Sequence, residues 1–140
     1  MTNRQMAEII RNQAPLTLPP SATVREACQH MHKRKVGAVL VIDPKGRLIG
    51  VFTGRDAVRV LAADKPAAAT QLRAVMTRNP LTMPPGRTAI EALRLMRDGG
   101  FRHVPVVDQD VVVGIVSRGD FRGLEQDRLD VETGYWERIG

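Results

Sequence analysis

Two stretches of the chain carry apolar residues at helical spacing on an otherwise polar background. Val24, Ala27, Cys28 and Met31 fall at i, i+3, i+4 and i+7, and Ala89, Ala92, Leu93 and Met96 repeat that pattern. Each stripe predicts an amphipathic helix that lays one face on a sheet. Both are preceded by a capping signature, Thr23-x-x-Glu26 and Thr88-x-x-Glu91, whose side chains satisfy backbone donors left over at a helix start. Downstream the period changes. Ala38 to Ile42 and Leu48 to Phe52 are rich in β-branched residues and flank the turn chemistry of Asp43-Pro44-Lys45-Gly46. Val104 to Val107 and Val111 to Val116 likewise flank a tighter turn, Asp108-Gln109-Asp110. Both segments predict hairpins, and their near-continuous apolarity predicts strands buried on both faces.

These parallels belong to an internal repeat. Pro15-Leu16-Thr17-Leu18-Pro19-Pro20 recurs as Pro80-Leu81-Thr82-Met83-Pro84-Pro85, an offset of 65 residues that carries on through both helices. After the hairpin turn the offset is 64, and Gly50-Val51-Phe52-Thr53-Gly54-Arg55-Asp56 matches Gly114-Ile115-Val116-Ser117-Arg118-Gly119-Asp120. Each copy opens with a short strand, Leu16 to Leu18 in the first, and ends on a second helix, giving the order β-α-β-β-α. The fold class expected is α/β (α+β), with copies over 1–62 and 72–124, a linker over 63–71 broken by Pro66, and a tail over 125–140. Units near 60 residues are marginal alone. The two copies are therefore expected to pack sheet to sheet about a pseudo-two-fold axis, leaving two related clefts.

Composition narrows the class. Hydrophobic and charged fractions of 43% and 26% are those of an ordinary globular domain, which argues against disorder. No stretch approaches the ~20 apolar residues of a membrane span, and Met1-Thr2-Asn3-Arg4-Gln5 lacks a signal-like apolar run, so a cytoplasmic protein is expected. The single cysteine, Cys28, excludes an intrachain disulfide and lies on the helical apolar stripe, as a core residue would. A net charge of +6 suits nucleic acid, a membrane surface or a phosphorylated small molecule alike. The basic residues, however, are scattered, with Lys33-Arg34-Lys35 the one compact run, and aromatics to stack on bases make up only 4% of the chain. Nucleic acid is accordingly the weakest of the three.

The doubled motif Gly50-x-x-Thr53-x-x-Asp56 and Gly114-x-x-Ser117-x-x-Asp120 runs from a strand straight into a helix start. Two readings stand side by side. In one, Thr53 or Ser117 caps the helix and Asp56 or Asp120 opposes its dipole. In the other, the carboxylate accepts the two hydroxyls of a ribose, and the hydroxyl and backbone N–H groups take a phosphate. Neither a P-loop nor a Rossmann fingerprint occurs. His30 and His32, two apart, diverge around a helix, so no metal is expected. Ser117, His103 and Asp120 have no triad spacing, and the chain reads as non-catalytic.

This motif, with Phe101-Arg102-His103-Val104-Pro105-Val106-Val107-Asp108 and the Pro-Leu-Thr openings, resembles the CBS domain family over nearly the whole chain. The resemblance implies a tandem pair, or Bateman module, that binds adenosyl ligands in clefts between its repeats. It gives Asp56 and Asp120 the ribose, and Thr53 and Ser117 the ribose or phosphate. It places Arg102 and His103 before the Val-Pro strand, facing the phosphates, where the first copy has only Gly37 and Ala38. Thr17 and Thr82 fall near the adenine, Val39 and Val104 against the purine, and Arg55, Pro105 and Arg118 complete the set. The function implied is a regulatory sensor of AMP, ADP, ATP or NAD, without a resident cofactor, regulating an unknown partner protein. A protein-interaction module with vestigial clefts is the alternative. Tyr135-Trp136, in the charged tail, suits docking either on its own subunit or across a homodimer, and the resemblance favours the homodimer.

Overall fold

The computed structural model describes residues 4–121. It is a mixed α/β fold of two compact units. One comprises Ala14–Leu81 with Gln109–Val112; the other joins the segment up to Gln13 to Thr82–Asp108 and to the described chain from Val113.

In the first unit, strand β1 (Thr17–Leu18) lies parallel to β2 (Ala38–Ile42), which pairs antiparallel with β3 (Leu48–Thr53). Helix α2 (Val24–Arg34) joins β1 to β2, and helix α3 (Gly54–Ala62) follows β3 directly. Thr23 caps α2 as its spacing predicts, its hydroxyl accepting from Glu26 N–H at 3.1 Å. Helix α2 ends at Lys35, whose left-handed φ of 56° lets Val36 N–H return to the Met31 carbonyl. The hairpin turn is built on Asp43, whose carboxylate accepts from the N–H groups of Lys45 and Arg47, each at 2.9 Å. Val24, Ala27 and Met31 pack with Val39, Val41 and Phe52 into one core, with Cys28 partly buried beside them and its thiol pKa raised by burial.

The second copy repeats the plan with helix α5 (Ala89–Gly99) and strands β5 (His103–Asp108) and β6 (Val111–Ser117). Its turn is a two-residue one, with Gln109 and Asp110 both at positive φ, 51° and 69°. Two expectations change here. The opening strand expected over Leu81 to Met83 is reduced to a single bridge between Met83 and Val106. In the first unit Leu40 N–H donates to the Leu16 carbonyl at 2.9 Å. The position matching Leu40 is Pro105, which has no N–H, so that rung is missing, Leu81 is 58% exposed and Thr82 lies outside any strand. Strand β6, expected to be buried on both faces, alternates instead: Gly114 and Val116 face inward, while Val111 and Val113 are exposed. The second helix of this copy appears among the described residues only as a 3-10 turn, Arg118–Asp120, and the tail with Tyr135-Trp136 lies outside them.

The repeat also extends further back than the spacing of prolines showed. Two short helices, α1 (Met6–Ile9) and α4 (Leu72–Val75), each precede one copy and dock on the other. Leu72 N–H donates to the Ala22 carbonyl and Arg73 N–H to that of Pro20; Met6 N–H and Ala7 N–H make the same bonds to Arg87 and Pro85. Met6 and Leu72 are both fully buried, which stabilises each unit by roughly 1.5–3 kcal/mol per side chain. Behind α4, strand β4 (Thr77–Arg78) pairs with β3, and Met76 covers Gly50 so closely that a Cβ there would lie 2.5 Å from its sulfur. Ile10 covers Gly114 in the same way, at 2.7 Å from its Cβ. The glycine heading each motif is thus there for a close approach. The linker is ordered against α2, whose first N–H groups, Val24 and Arg25, donate to Thr70 and Ala67 carbonyls at 2.9 and 3.0 Å.

Candidate functional site

Each hairpin delivers its last residue as the cap of the following turn. Thr53 N–H donates to Asp56 Oδ2 at 2.9 Å, the Thr53 hydroxyl lies 3.1 Å from the same oxygen, and Asp56 N–H returns to Thr53 Oγ1 at 3.3 Å. This closes a capping box, worth about 1 kcal/mol. Asp56 is 5% exposed, the one buried charged side chain among the described residues. Its Oδ1 takes Arg59 at 3.3 Å, but that guanidinium is mostly solvated and the pair adds little.

The second copy builds the same carboxylate clamp on a shorter turn. Ser117 N–H donates to Asp120 Oδ2 at 2.7 Å and its hydroxyl lies 3.2 Å from that oxygen. Asp120 is only half-buried, and Oδ1 has no hydrogen bond among the described residues. In both copies the turn is tied back to the residue before the hairpin's first strand: Gly54 N–H donates to the Gly37 carbonyl at 3.1 Å, and Arg118 N–H to that of Arg102 at 2.9 Å. Gly37, Ala38, Thr53, Arg55 and Asp56 therefore meet at one hairpin end, and Arg102, His103, Ser117, Arg118 and Asp120 at the other.

Charge separates the two ends. The first carries Arg55 exposed beside a carboxylate that is already paired. The second gathers Arg102 and Arg118, both exposed, and His103, half-buried. Burial holds the His103 imidazole below its ordinary 6.5; Asp120 pulls it upward, and Arg102 adds to the depression.

A profile of the CBS domain matches residues 7–63 and 72–126. The chain belongs to the CBS domain family. It is 37% identical over 108 residues to the CBS domain-containing protein CBSCBSPB1 of Arabidopsis thaliana, a match covering 76% of this chain and 20% of that protein. The chain thus spans about a fifth of the length of such curated relatives. Among solved structures, the CBS domain protein PAE2072 from Pyrobaculum aerophilum complexed with AMP superposes with a TM-score of 0.81 at 25% identity, over 92% of this chain and 98% of that one. The CBS domain pair of protein MJ0100 in complex with 5-methylthioadenosine and S-adenosyl-L-methionine gives 0.77 at 26% identity, over 92% and 97%.

Not every residue that the CBS resemblance singles out reaches a hairpin end. Thr17 pairs with Leu40, two residues along β2 from Ala38, and is half-buried. Thr82 is exposed in a loop, for the reason that Pro105 supplies. Val39, Val104 and Pro105 are fully buried, the two valines inside their units' cores. Sequence reasoning missed the docked segments before each copy. The pairs Gln5-Met6 and Gln71-Leu72, offset by 66 residues, were the available signal, too short to stand out from the background. Among the described residues no helix is long and apolar enough to cross a membrane, and no group of acidic, histidine or cysteine side chains is placed to hold a metal.

Proposed function

We propose that this chain is a non-catalytic regulatory module that binds an adenine nucleotide of the AMP type, most strongly at the second repeat. The observation that carries this reading is the convergence of Arg102, His103, Ser117, Arg118 and Asp120 on one hairpin end. A half-buried carboxylate clamped through one oxygen suits the paired hydroxyls of a ribose, and the cationic side chains around it suit a phosphate. The AMP, 5-methylthioadenosine and S-adenosyl-L-methionine held by the similar CBS structures support the adenosyl part of the reading. Asp56, Thr53, Ala38 and Gly37 form a second, weaker site without those cations. Binding shifts the population of conformations that an unidentified partner protein senses.

Calorimetry with AMP, ADP, ATP and NAD tests this. Saturable binding by at least one is expected, and no binding by any at millimolar concentration overturns it. Asp120→Ala is expected to weaken binding about tenfold, the loss of hydrogen bonds to a charged group, and Asp56→Ala less. The reverse order overturns the assignment of the stronger site.

A homodimer forms part of the reading, supported by helix α3. Val58 and Leu61, three residues apart on that helix, are 64% and 74% exposed. Sedimentation velocity of Val58→Glu/Leu61→Glu against the parent chain tests it: a shift to half the mass is expected, and an unchanged mass overturns association through α3.

A further inference from the structure

The two carboxylate clamps differ in what holds the turn behind them. In the first repeat Asp56 stands in the first turn of α3, and its carbonyl lies inside a helix that continues to Ala62, where an N–H four residues on is available. In the second repeat the turn is three residues long and Phe121 leaves it extended, at φ −100° and ψ 116°. There the Asp120 carbonyl accepts from a guanidinium: Arg4 Nη2 donates to Asp120 O at 3.1 Å, across 116 residues of chain and in a partly buried position.

Arg4 is itself held firmly. Its carbonyl accepts from Ala89 N–H at 2.6 Å, Gln5 bridges to Thr88, and Met6 is buried in the second unit's core. The same N-terminal arm reaches the strand leading into the turn, where Gln13 Oε1 accepts from Ile115 N–H at 3.0 Å. Two polar bonds from one docked segment therefore brace the strand and turn that present Ser117 and Asp120. In the first unit the strand is braced by β4, and the turn by its own helix.

We propose that Arg4 is a positioning residue of the second site, its guanidinium fixing the Ser117–Asp120 turn so that the Asp120 carboxylate stays aimed at the ligand. This rests on the nucleotide reading above for the identity of the ligand, but not for the bracing itself. The consequence is that the N-terminal arm is part of the second site alone. A charge-assisted bond to a carbonyl is directional, so lysine replaces it only partly.

The test uses the 140-residue chain in two measurements. In the ligand-free protein, Arg4→Ala is expected to speed amide exchange of Ser117, whose N–H is bonded to Asp120, about tenfold, leaving Thr53 unchanged. By calorimetry with AMP in an Asp56→Ala background, Arg4→Ala is expected to weaken binding about tenfold, and Arg4→Lys less. In an Asp120→Ala background the residual affinity is expected not to respond to Arg4→Ala. Unchanged exchange at Ser117, or equal losses in both backgrounds, overturns the proposal. So does faster exchange spread through α5 and β5, which means a folding role. If the parent chain binds no AMP, the nucleotide reading falls, and Ser117 exchange alone decides whether Arg4 holds the turn.

Discussion

The first repeat buries its aspartate and the second leaves it half open, although both present the same hydroxyl-carboxylate clamp. At Asp56 the carboxylate is spent on structure: one oxygen closes a capping box and the other takes Arg59. At Asp120 one oxygen does the capping and the surroundings are cationic. A duplicated motif can thus keep its local geometry while burial and neighbouring charge assign its copies different work.

The largest effects that test this contrast lie in the cross-docked helices. If α1 and α4 are equivalent core elements, Met6→Ala and Leu72→Ala each lower unfolding free energy by about 2–5 kcal/mol in urea titrations. A Met6→Ala loss below about 1 kcal/mol would break the equivalence and detach the arm from the second unit's core.

Next come the two close-approach glycines. An added Cβ at Gly50 meets chiefly the flexible side chain of Met76, whereas at Gly114 it meets the Cβ and Cγ2 of Ile10, next to the backbone. Gly114→Ala is therefore expected to cost about 1–3 kcal/mol and Gly50→Ala less. Thermal midpoints of the two variants give the order, and the opposite order would mean that the arm yields more easily than β4.

The smallest effect is electrostatic and belongs to the second copy alone. His103 is depressed below 6.5 by burial, so the unfolded chain binds more protons than the folded one in that range. Its contribution is complete above 6.5 and is lost as pH falls through and below that value. From about pH 7 to about pH 5 the parent chain is expected to lose stability more steeply than His103→Gln. Identical slopes in urea midpoints would remove His103 from the contrast. Bound phosphate would raise the imidazole pKa, so nucleotide affinity is expected to rise over the same fall in pH.

Much of this fold was legible because its signals are local. The apolar stripes of α2 and α5, the Thr-x-x-Glu caps and the Asp43 turn each depend on residues within a few positions of one another. The clamp is equally local, since Thr53 and Asp56, or Ser117 and Asp120, are three residues apart. What escaped was non-local. Pro105 erases a strand pairing with residues more than 20 positions earlier, and nothing in Leu81-Thr82-Met83 itself marks the loss.

By itself, then, the amino-acid order determined the repeat, the capped helix and hairpin of each copy, and the residues of both clamps, because period, capping and turn chemistry act over a few bonds. Only the tertiary structure decided that each copy is completed by the segment preceding the other, that Asp56 is buried while Asp120 is not, and that Arg4 closes on Asp120. Those outcomes depend on which distant atoms fill a given space and satisfy a given carbonyl, and such partners are set by packing across the whole unit.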